Sequence, residues 1–349
     1  MQYFLRLLLR YSAFALPLLS IPMIASAHEV YVLDSATIIK DVAAVSPNPF
    51  LAISNNYNSF ILWGLVSMNT IVLVFLLSVF RPLEYKLTPI FARGKKYAAP
   101  VARITLGLSL ILCAYNQGLF GPELPIPQFA HTFAPLVTIV LYSSGILITV
   151  GFLTRYATLA ALSMYIWGVL FYGTYMLNYA NYFGEILIIL ALGGGYLSVD
   201  GRRAHELSEV WKQRVQHLEK YVFLILRISF GIAIIFASYY AKFSHSRLAI
   251  DTVTQYHLTN YFPFDTLFVV LGAFIIETII GIFYIIGFEL RWTALFFLFW
   301  ITLSLFYFGE SVWPHLILIG LNITFLLHGY DRYSIEGRVF KKRHLEPML

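Results

Sequence analysis

Glu277 lies near the middle of a long apolar segment, in the stretch FIIETIIG. An ionisable side chain at the centre of a membrane-spanning helix costs about 2.5–3.5 kcal/mol even on a lenient scale. It should therefore face other helices and have a polar partner. Acids at such positions relay protons or bind substrates. The alternative is a structural role, in which a protonated Glu277 hydrogen-bonds to a neighbouring helix. The sequence makes Glu277 the first candidate for a catalytic residue.

A second set of candidates lies where apolar segments begin or end. Lys242, His245 and Arg247 follow one segment, and their charge would attract an anion such as thiosulfate from outside. The alternative is a lysine that extends to the membrane surface beside solvated loop residues. Glu185 and His315 lie near the starts of two other segments. We expect these five residues to bind a substrate. Glu185 and His315, with His131 and Glu310 at the same outer rim, would converge with Lys242 into one mouth. No HxxxH or ExxH spacing suggests a metal site.

The elements that carry these residues must be membrane helices. Of the 349 residues, 59% are hydrophobic and 12% are charged, whereas soluble domains have about 25% charged residues. The mean hydropathy is +0.74. Long, continuous apolar runs favour helices over a β-barrel, whose strands alternate in polarity. The predicted fold class is an all-α integral membrane protein. The single cysteine, Cys113, excludes a disulfide scaffold and a thiolate metal cage.

Nine apolar segments are long enough, or nearly so, to cross a bilayer core that needs about 20 helical residues. They lie near 59–80, 102–119, 133–153, 156–177, 182–198, 221–240, 264–288, 292–308 and 314–329. Lys and Arg concentrate in alternate loops, which accounts for the net charge of +6 without nucleic acid. By the positive-inside rule, these loops are cytoplasmic in a bacterial inner membrane. The chain would begin in the periplasm and end in the cytoplasm.

The segments outside the spans are assigned by composition. Residues 1–27 are typical of a signal peptide, and the alternative is an uncleaved first span. Residues 28–58 would form a periplasmic segment, and 59–99 a leading span with its cytoplasmic loop. Residues 203–220 would form an interfacial linker helix, or alternatively a solvated one. Residues 338–349 would form a basic cytoplasmic tail.

Two parts of the chain, 100–202 and 221–337, resemble each other. RITLGLSLIL in the first part matches RISFGIAIIF 124 residues later, and GILITVGFLTRYATL matches GIFYIIGFELRWTAL 136 residues later. The endings GGYLSVDG and GYDRYSIEG keep the second separation. Each copy would have four spans and begin inside. We therefore predict two parallel four-helix-bundle repeats, related by an axis along the membrane normal.

The repeated residues include groups of opposite charge. Arg103 and Arg227 open the first span of each copy, and Asp200 and Glu336 follow the last span at the same face. We predict that these residues form structural ion pairs, which latch the first helix of each copy to its fourth. The repeated motifs would then serve assembly rather than catalysis.

The motifs resemble those of the DoxX/DoxD superfamily of four-span membrane proteins. Its members open with Arg and Gly on the first span, often with a Lys near the outer end. Their second span has an acid, a Gly and a G-x-x-x-R turn, and they end on Gly-x-x-Ser-hydrophobic-acid. The second copy has matching residues at Arg227, Gly231, Lys242, Glu277, Gly281, Gly287, Arg291, Ser334 and Glu336.

The first copy departs from this pattern. Gly118 aligns with Lys242 and Leu141 with Glu277, while Glu185 lies in the last span of the first copy. The resemblance covers about residues 100–337. The leading span and the segment before it lie outside.

The resemblance implies a function by analogy of fold. The superfamily includes a membrane subunit of thiosulfate:quinone oxidoreductase, proteins linked to thiol or redox stress, and a distant branch that looks like cargo receptors. We expect a quinone-linked oxidation of thiosulfate or another small sulfur anion, in which Lys242 and Arg247 attract the anion and Glu277 handles protons. The chain has no redox-cofactor motif, so a quinone, or a membrane or periplasmic partner subunit, would take the electrons.

Two questions stay open at this point. Trp167, Phe171, Tyr172 and Tyr175 could stack against a quinone ring, but aromatic belts at membrane interfaces explain such residues without a ligand. The competing function is non-enzymatic: a transporter, receptor or assembly factor with a polar pocket inside the membrane.

Overall fold

The structure is a computed structural model that describes residue 33 and residues 35–80, 89–202, 219–309 and 312–339. The predicted signal peptide lies outside these ranges, as do most of the predicted linker helix and of the basic tail. Within them the chain forms helices and turns but no β-strand, apart from one isolated bridge between Gly118 and Pro125. The prediction of an all-helical membrane protein is confirmed.

The apolar segments form helices because, in lipid, a chain must satisfy its backbone hydrogen bonds internally. Shorter helical turns lie at Ala52–Asn55, Ile126–Ala130 and Ile335–Val339. The longer helices of the described residues are α1 (Ser35–Ala43), α2 (Tyr57–Phe80), α3 (Ala98–Tyr115), α4 (Ala134–Val150), α5 (Thr154–Tyr172), α6 (Ala180–Leu192), α7 (Val222–Ser238), α8 (Ser246–Gln255), α9 (Thr266–Ile286), α10 (Leu290–Phe308) and α11 (Leu316–His328).

Seven stretches of the described residues are long and apolar enough to cross a membrane. They are Tyr57–Leu76, Pro89–Tyr115, Ile126–Val150, Thr154–Leu192, Val222–Ser244, Thr266–Ile286 and Leu290–Phe308. The stretch Thr154–Leu192 contains α5 and α6, which a 3-10 segment at Gly173–Tyr179 joins. Trp313–His328, which contains α11, is a shorter apolar helix. The chain is therefore a multi-pass membrane protein.

Close helix contacts depend on glycine. A Cβ atom on Gly107 of α3 would lie 2.7 Å from the carbonyl oxygen of Gly145 in α4. A Cβ atom on Gly231 of α7 would lie 2.5 Å from the carbonyl oxygen of Gly281 in α9. Both distances are too short for a side chain. These glycines let the backbones of α3 and α4, and of α7 and α9, approach closely.

We call α3–α6 the first group of helices and α7–α11 the second group. The last helix of each group packs against the first helix of the other group. Helix α6 lies mainly against α7, and α11 lies mainly against α3. At these contacts Gly184 meets Ser229, and Gly320 meets Thr105, so closely that a Cβ atom on either glycine would overlap the hydroxyl side chain. The groups α3–α6 and α7–α11 therefore interlock, because each contributes its first and last helices to contacts with the other.

Residues 35–56, which we call the strap, lie against the second group. Helix α1 packs on α8, and the turns around residue 50 pack on α9. The Phe50 ring meets the rings of Phe243 and Phe274 edge-on, each at 6.1 Å between centroids. Ser246 Oγ donates a hydrogen bond to the Pro47 carbonyl oxygen at 2.5 Å. The strap thus covers Phe243 and Ser246, which follow Lys242, and Phe274, one helical turn from Glu277.

Candidate functional site

The end of α7 brings Lys242 into the interior. The helix continues as a π-helical segment at Tyr239–Ser244. Such segments are rare and frequently occur at functional sites. Lys242 belongs to this segment and is only 5% exposed. A lysine is almost never buried to this degree without a partner.

The partner of Lys242 is Glu277. The Lys242 ammonium lies 2.9 Å from Oε2 of Glu277, and the glutamate is 8% exposed on α9. Removing one member of a buried ion pair strands the other charge in an apolar interior and costs about 3–5 kcal/mol. The pair therefore explains how each residue tolerates its position. It also joins two residues that the sequence suggested for different roles.

His245 and Arg247 lie close to Lys242 in sequence but have other contacts. The His245 ring packs on the Tyr240 ring at 4.3 Å between centroids. Arg247 is exposed, and its Nε donates a hydrogen bond to the Val45 carbonyl oxygen in the strap at 2.7 Å. Lys242, His245 and Arg247 thus have three different partners. Arg247 is the one with its charge at the surface.

An apolar groove lies beside the ion pair. It has a volume of about 230 Å³ and lies between α7 and α9. Its lining residues are Ile232, Ile235, Phe236, Tyr239, Phe274 and Thr278. The Thr278 hydroxyl has no hydrogen-bond partner among the described residues. Thr278 follows Glu277 in sequence, so neighbouring residues of α9 place a carboxylate in the interior and a buried hydroxyl at the edge of the groove.

The strap has a buried acid of its own. Asp41 is 1% exposed, and its carboxyl group hydrogen-bonds to that of Asp251 in α8. Burial raises the pKa of Asp41 above its usual value of 3.8, and the neighbouring Asp251 raises it further. Lys40 and Arg247 act in the opposite direction but do not cancel this effect. The protonated form of Asp41 therefore favours the docked strap.

Glu185 makes no hydrogen bond or ion pair with Lys242 or Glu277. It belongs to α6 and is completely buried. Neither of its carboxyl oxygens has a hydrogen-bond partner among the described residues. The amide oxygen of Asn181, one helical turn earlier, is likewise buried without a partner there. His315 is also buried, in the turn Trp313–His315, which packs on α3 and α11.

The aromatic residues proposed for quinone stacking pack mostly on one phenylalanine. The rings of Trp167, Phe171 and Tyr172 lie 4.7, 5.4 and 5.8 Å from the ring of Phe129. Tyr175 instead meets Tyr240 edge-on at 4.9 Å.

Glu123, which the sequence analysis did not single out, organises two tyrosines. Its Oε1 accepts hydrogen bonds from the Tyr175 hydroxyl, at 3.2 Å, and from the Tyr179 hydroxyl. Glu123 lies in the loop after α3, where no periodic pattern marks it. The Tyr175–Tyr240 ring contact then links this loop to the end of α7.

The two arginines that open the repeats bind backbone carbonyls. Arg103 Nη1 donates to the carbonyl oxygens of Ile148 and Thr149, both at 2.7 Å. Arg227 Nη1 donates to those of Tyr284 and Ile285, at 2.9 and 2.7 Å. These contacts join the first helix of each group to the end of its second helix.

The carboxylates also have partners that were not predicted. Asp331 forms an ion pair with Arg227, at 2.7 Å from Nε, and Glu336, which interacts electrostatically with Arg227, accepts a hydrogen bond from the Leu290 backbone N–H. Asp200 accepts from the backbone N–H groups of Leu153 and Thr154 and from the Thr154 hydroxyl. Asp200 and Glu336 therefore cap the starts of α5 and α10, where four N–H groups lack helical partners.

Among the described residues, no three His, Cys, Asp or Glu side chains come together as metal ligands would. Comparisons with protein families, with curated proteins and with solved structures find no match. The resemblance to the DoxX/DoxD superfamily thus depends on the sequence motifs.

Proposed function

We propose that this chain is a nine-span, DoxX-like protein of a bacterial inner membrane and the membrane subunit of a quinone-linked oxidoreductase. Its substrate would be thiosulfate or another small sulfur anion. In this proposal α2 is the leading span, and α3–α6 and α7–α11 contain two parallel four-span repeats. The stretch Thr154–Leu192 counts as two spans and Trp313–His328 as the ninth. The N-terminus is periplasmic after signal cleavage, and the C-terminus is cytoplasmic.

Equivalent contacts in the two groups support the repeat. The carbonyl acceptors of Arg227 lie 136 positions after those of Arg103, and the arginines themselves are 124 positions apart. The glycine contacts of α3 with α4 and of α7 with α9 have the same two separations, and so do the contacts of α6 with α7 and of α11 with α3. Such a set of matched contacts is expected of a duplicated bundle.

The observation that carries the functional proposal is the buried Lys242–Glu277 pair next to an apolar groove. A quinone is soluble in the bilayer, so its ring would enter a groove of this kind from the lipid. Ligand sites are typically apolar with a few placed polar groups. The Thr278 hydroxyl is buried at the edge of the groove without a hydrogen-bond partner among the described residues, and rotation of its side chain would let it donate a hydrogen bond to a quinone carbonyl oxygen.

The ion pair would handle the protons of the reaction. Reduction of a quinone to a quinol consumes two electrons and two protons. The electrons come from the sulfur anion, since two thiosulfate ions release two electrons when they join through a new S–S bond. A partner subunit would carry these electrons. Glu277 would accept a proton and pass it towards the groove, and Lys242 would stabilise the carboxylate in between.

The role of the cations changes in this proposal. The charge of Lys242 is neutralised by Glu277, so it would contribute little to the capture of an anion. Arg247, exposed where the strap meets α8, is the residue that would attract the sulfur anion.

Quinone binding is tested by Thr278→Val, which removes the hydroxyl and keeps the shape. The loss of one hydrogen bond of about 0.5–1.5 kcal/mol should weaken the binding of a quinone analogue about two- to tenfold. Thr302→Val is the matched control, because Thr302 is exposed on α10 and bonds only to its own helix. Equal affinities of the two variants would contradict the groove as the quinone site.

The non-enzymatic alternative is favoured by a different observation. The groups interlock through α6 and α11, and the unpartnered Glu185 lies beside the contact of Gly184 with Ser229. Transporters commonly place their binding sites where two repeats meet. Purified protein is incubated with thiosulfate and a quinone analogue, with and without its co-purifying subunits. Reduction of the quinone supports the oxidoreductase, and no reduction in either case supports the transporter, receptor or assembly factor.

A further inference from the structure

Glu185 is a buried acid that the proposed quinone chemistry does not use. It is 0% exposed on α6, and both carboxyl oxygens lack a hydrogen-bond partner among the described residues. Buried side-chain oxygens in proteins are usually hydrogen-bonded. An ionised carboxylate in this setting would cost several kcal/mol, because no cation among the described residues offsets its removal from water. A ligand that neutralises the charge of the Glu185 carboxylate and supplies a hydrogen-bond donor would stabilise this arrangement.

The nearest turn of α6 provides a matching acceptor. Asn181 precedes Glu185 by four residues, so the two side chains lie on the same face of the helix. Asn181 is 1% exposed, and its Oδ1 has no donor among the described residues. One proton on Glu185 would convert a carboxylate with only acceptors into an acid with one donor. That donor would satisfy Asn181 Oδ1.

We propose that Glu185 and Asn181 form a second intramembrane proton site, in which a protonated Glu185 donates a hydrogen bond to Asn181 Oδ1. The site binds one exchangeable proton inside the first group of helices. It is separate from the Lys242–Glu277 pair, and it stands whether or not a quinone binds to the groove.

A metal cation fits this site less well. Cations such as Ca²⁺ and Mg²⁺ take about six to eight oxygen ligands, whereas the site offers the two oxygens of Glu185 and one of Asn181. Nearby, the Tyr182 hydroxyl lies 3.8 Å from Cys113 Sγ and beside Ser109, whose hydroxyl oxygen has no hydrogen-bond partner among the described residues. Even with Ser109 Oγ, the site would offer only four oxygens. A proton needs only the one acceptor that is present.

The second group of helices shows that packing does not require this pair. The positions 136 residues after Asn181 and Glu185 hold Ile317 and Leu321, both buried and apolar. Conversely, Gly118 and Leu141 stand in the first group where Lys242 and Glu277 stand in the second. Glu185 and Glu277 are thus acids buried within helices at positions that differ between the two groups. The Glu277 carboxylate has a cation beside it, and Glu185 has an amide.

The protonation state is measured by infrared spectroscopy of the purified full-length protein at neutral pH. The wild type should show a protonated carboxyl band that Glu185→Gln removes and Glu277→Gln leaves in place. The band should shift in D₂O, because the proton exchanges. Asn181→Leu should move the band to higher frequency, since the carbonyl of an acid that loses its hydrogen-bond acceptor is stiffer. Loss of carboxylate bands in Glu185→Gln, or a band that does not shift in D₂O, would overturn the proposal.

Two further measurements keep the test decisive if one variant folds poorly. The double variant Asn181→Ile/Glu185→Leu reproduces the apolar pair of the second group, so it should fold and lack the band. A hydrophobic carbodiimide, which reacts with protonated carboxyl groups in apolar surroundings, should label Glu185 in the wild type. Labelling that high Na⁺ does not reduce supports the proton site. Protection of Glu185 by Na⁺ would identify a cation site instead and refute the proposal.

Discussion

Replacement of Lys242 by Met should destabilise the protein strongly, because it leaves Glu277 buried without its cation. The two charged groups are 2.9 Å apart, with side chains 6% and 11% exposed. Unit charges at that distance attract by about 6 kcal/mol at an effective dielectric constant of about 20. Their removal from water offsets part of this attraction. Loss of one partner from such a pair typically costs about 3–5 kcal/mol.

The assay is the free energy of unfolding in mixed micelles of a mild detergent and sodium dodecyl sulfate. Arg247→Met is the matched control, since it removes a nearby but exposed cation and should cost no more than about 1 kcal/mol. The double variant Lys242→Met/Glu277→Leu should recover most of the stability, because a well-packed apolar pair often equals a buried ion pair. Equal losses in Lys242→Met and Arg247→Met, or additive losses in the double variant, would refute a buried and interacting pair.

Three other predictions follow from the described contacts. Docking of the strap should be most stable below the ordinary Asp41 pKa of 3.8 and should weaken as pH rises through the raised pKa, because the protonated form of Asp41 favours docking; the protection factors of the amides of residues 35–47, corrected for the intrinsic rise of exchange with pH, should fall over that range, and Asp41→Asn should abolish the fall. Gly231→Val should cost about 1–3 kcal/mol through the overlap with α9, whereas Gly64→Val, which meets open space on α2, should leave the melting temperature nearly unchanged. Asp331→Asn should cost about 3–5 kcal/mol, because Arg227 is completely buried and Asp331 is its carboxylate partner; a melting temperature equal to that of the wild type would contradict this role.

Much of the helical layout is readable from the sequence, because a bilayer imposes long apolar segments. The need of Glu277 for a partner also follows from its apolar surroundings. The identity of that partner does not follow from the sequence, because Lys242 lies at the outer end of a predicted span. Only the π-helical segment at Tyr239–Ser244 places it inside. No sequence pattern predicts a π-helical segment.

The comparison of the two repeats did not identify Asp331 as a partner of Arg227. The comparison of the two endings drew attention to acids that both copies share, and so to Glu336. Asp331 aligns with Gly195 in the first copy, so a search for shared residues passes over it. Yet Asp331 is the carboxylate that contacts Arg227.

Contacts between loops and between groups were equally beyond the sequence. Glu123 lies in a loop and Asp41 in the short amphipathic helix α1, and their partners are distant in the chain. Hydrophobic periodicity identifies apolar helices but does not say which helix each face meets. The packing of α6 on α7, and of α11 on α3, therefore became visible only in three dimensions.

The proposed parallel repeats are tested most directly by the sidedness of two equivalent positions. Tyr196 and Arg332 are 136 residues apart, and both are exposed just after the last helix of each group. Single cysteines at these positions, in a Cys113→Ala background, are treated with a membrane-impermeant maleimide in spheroplasts and in inverted vesicles. Parallel repeats predict that both cysteines react only in inverted vesicles, from the cytoplasmic face. Reaction of the two cysteines from opposite faces would contradict the parallel arrangement.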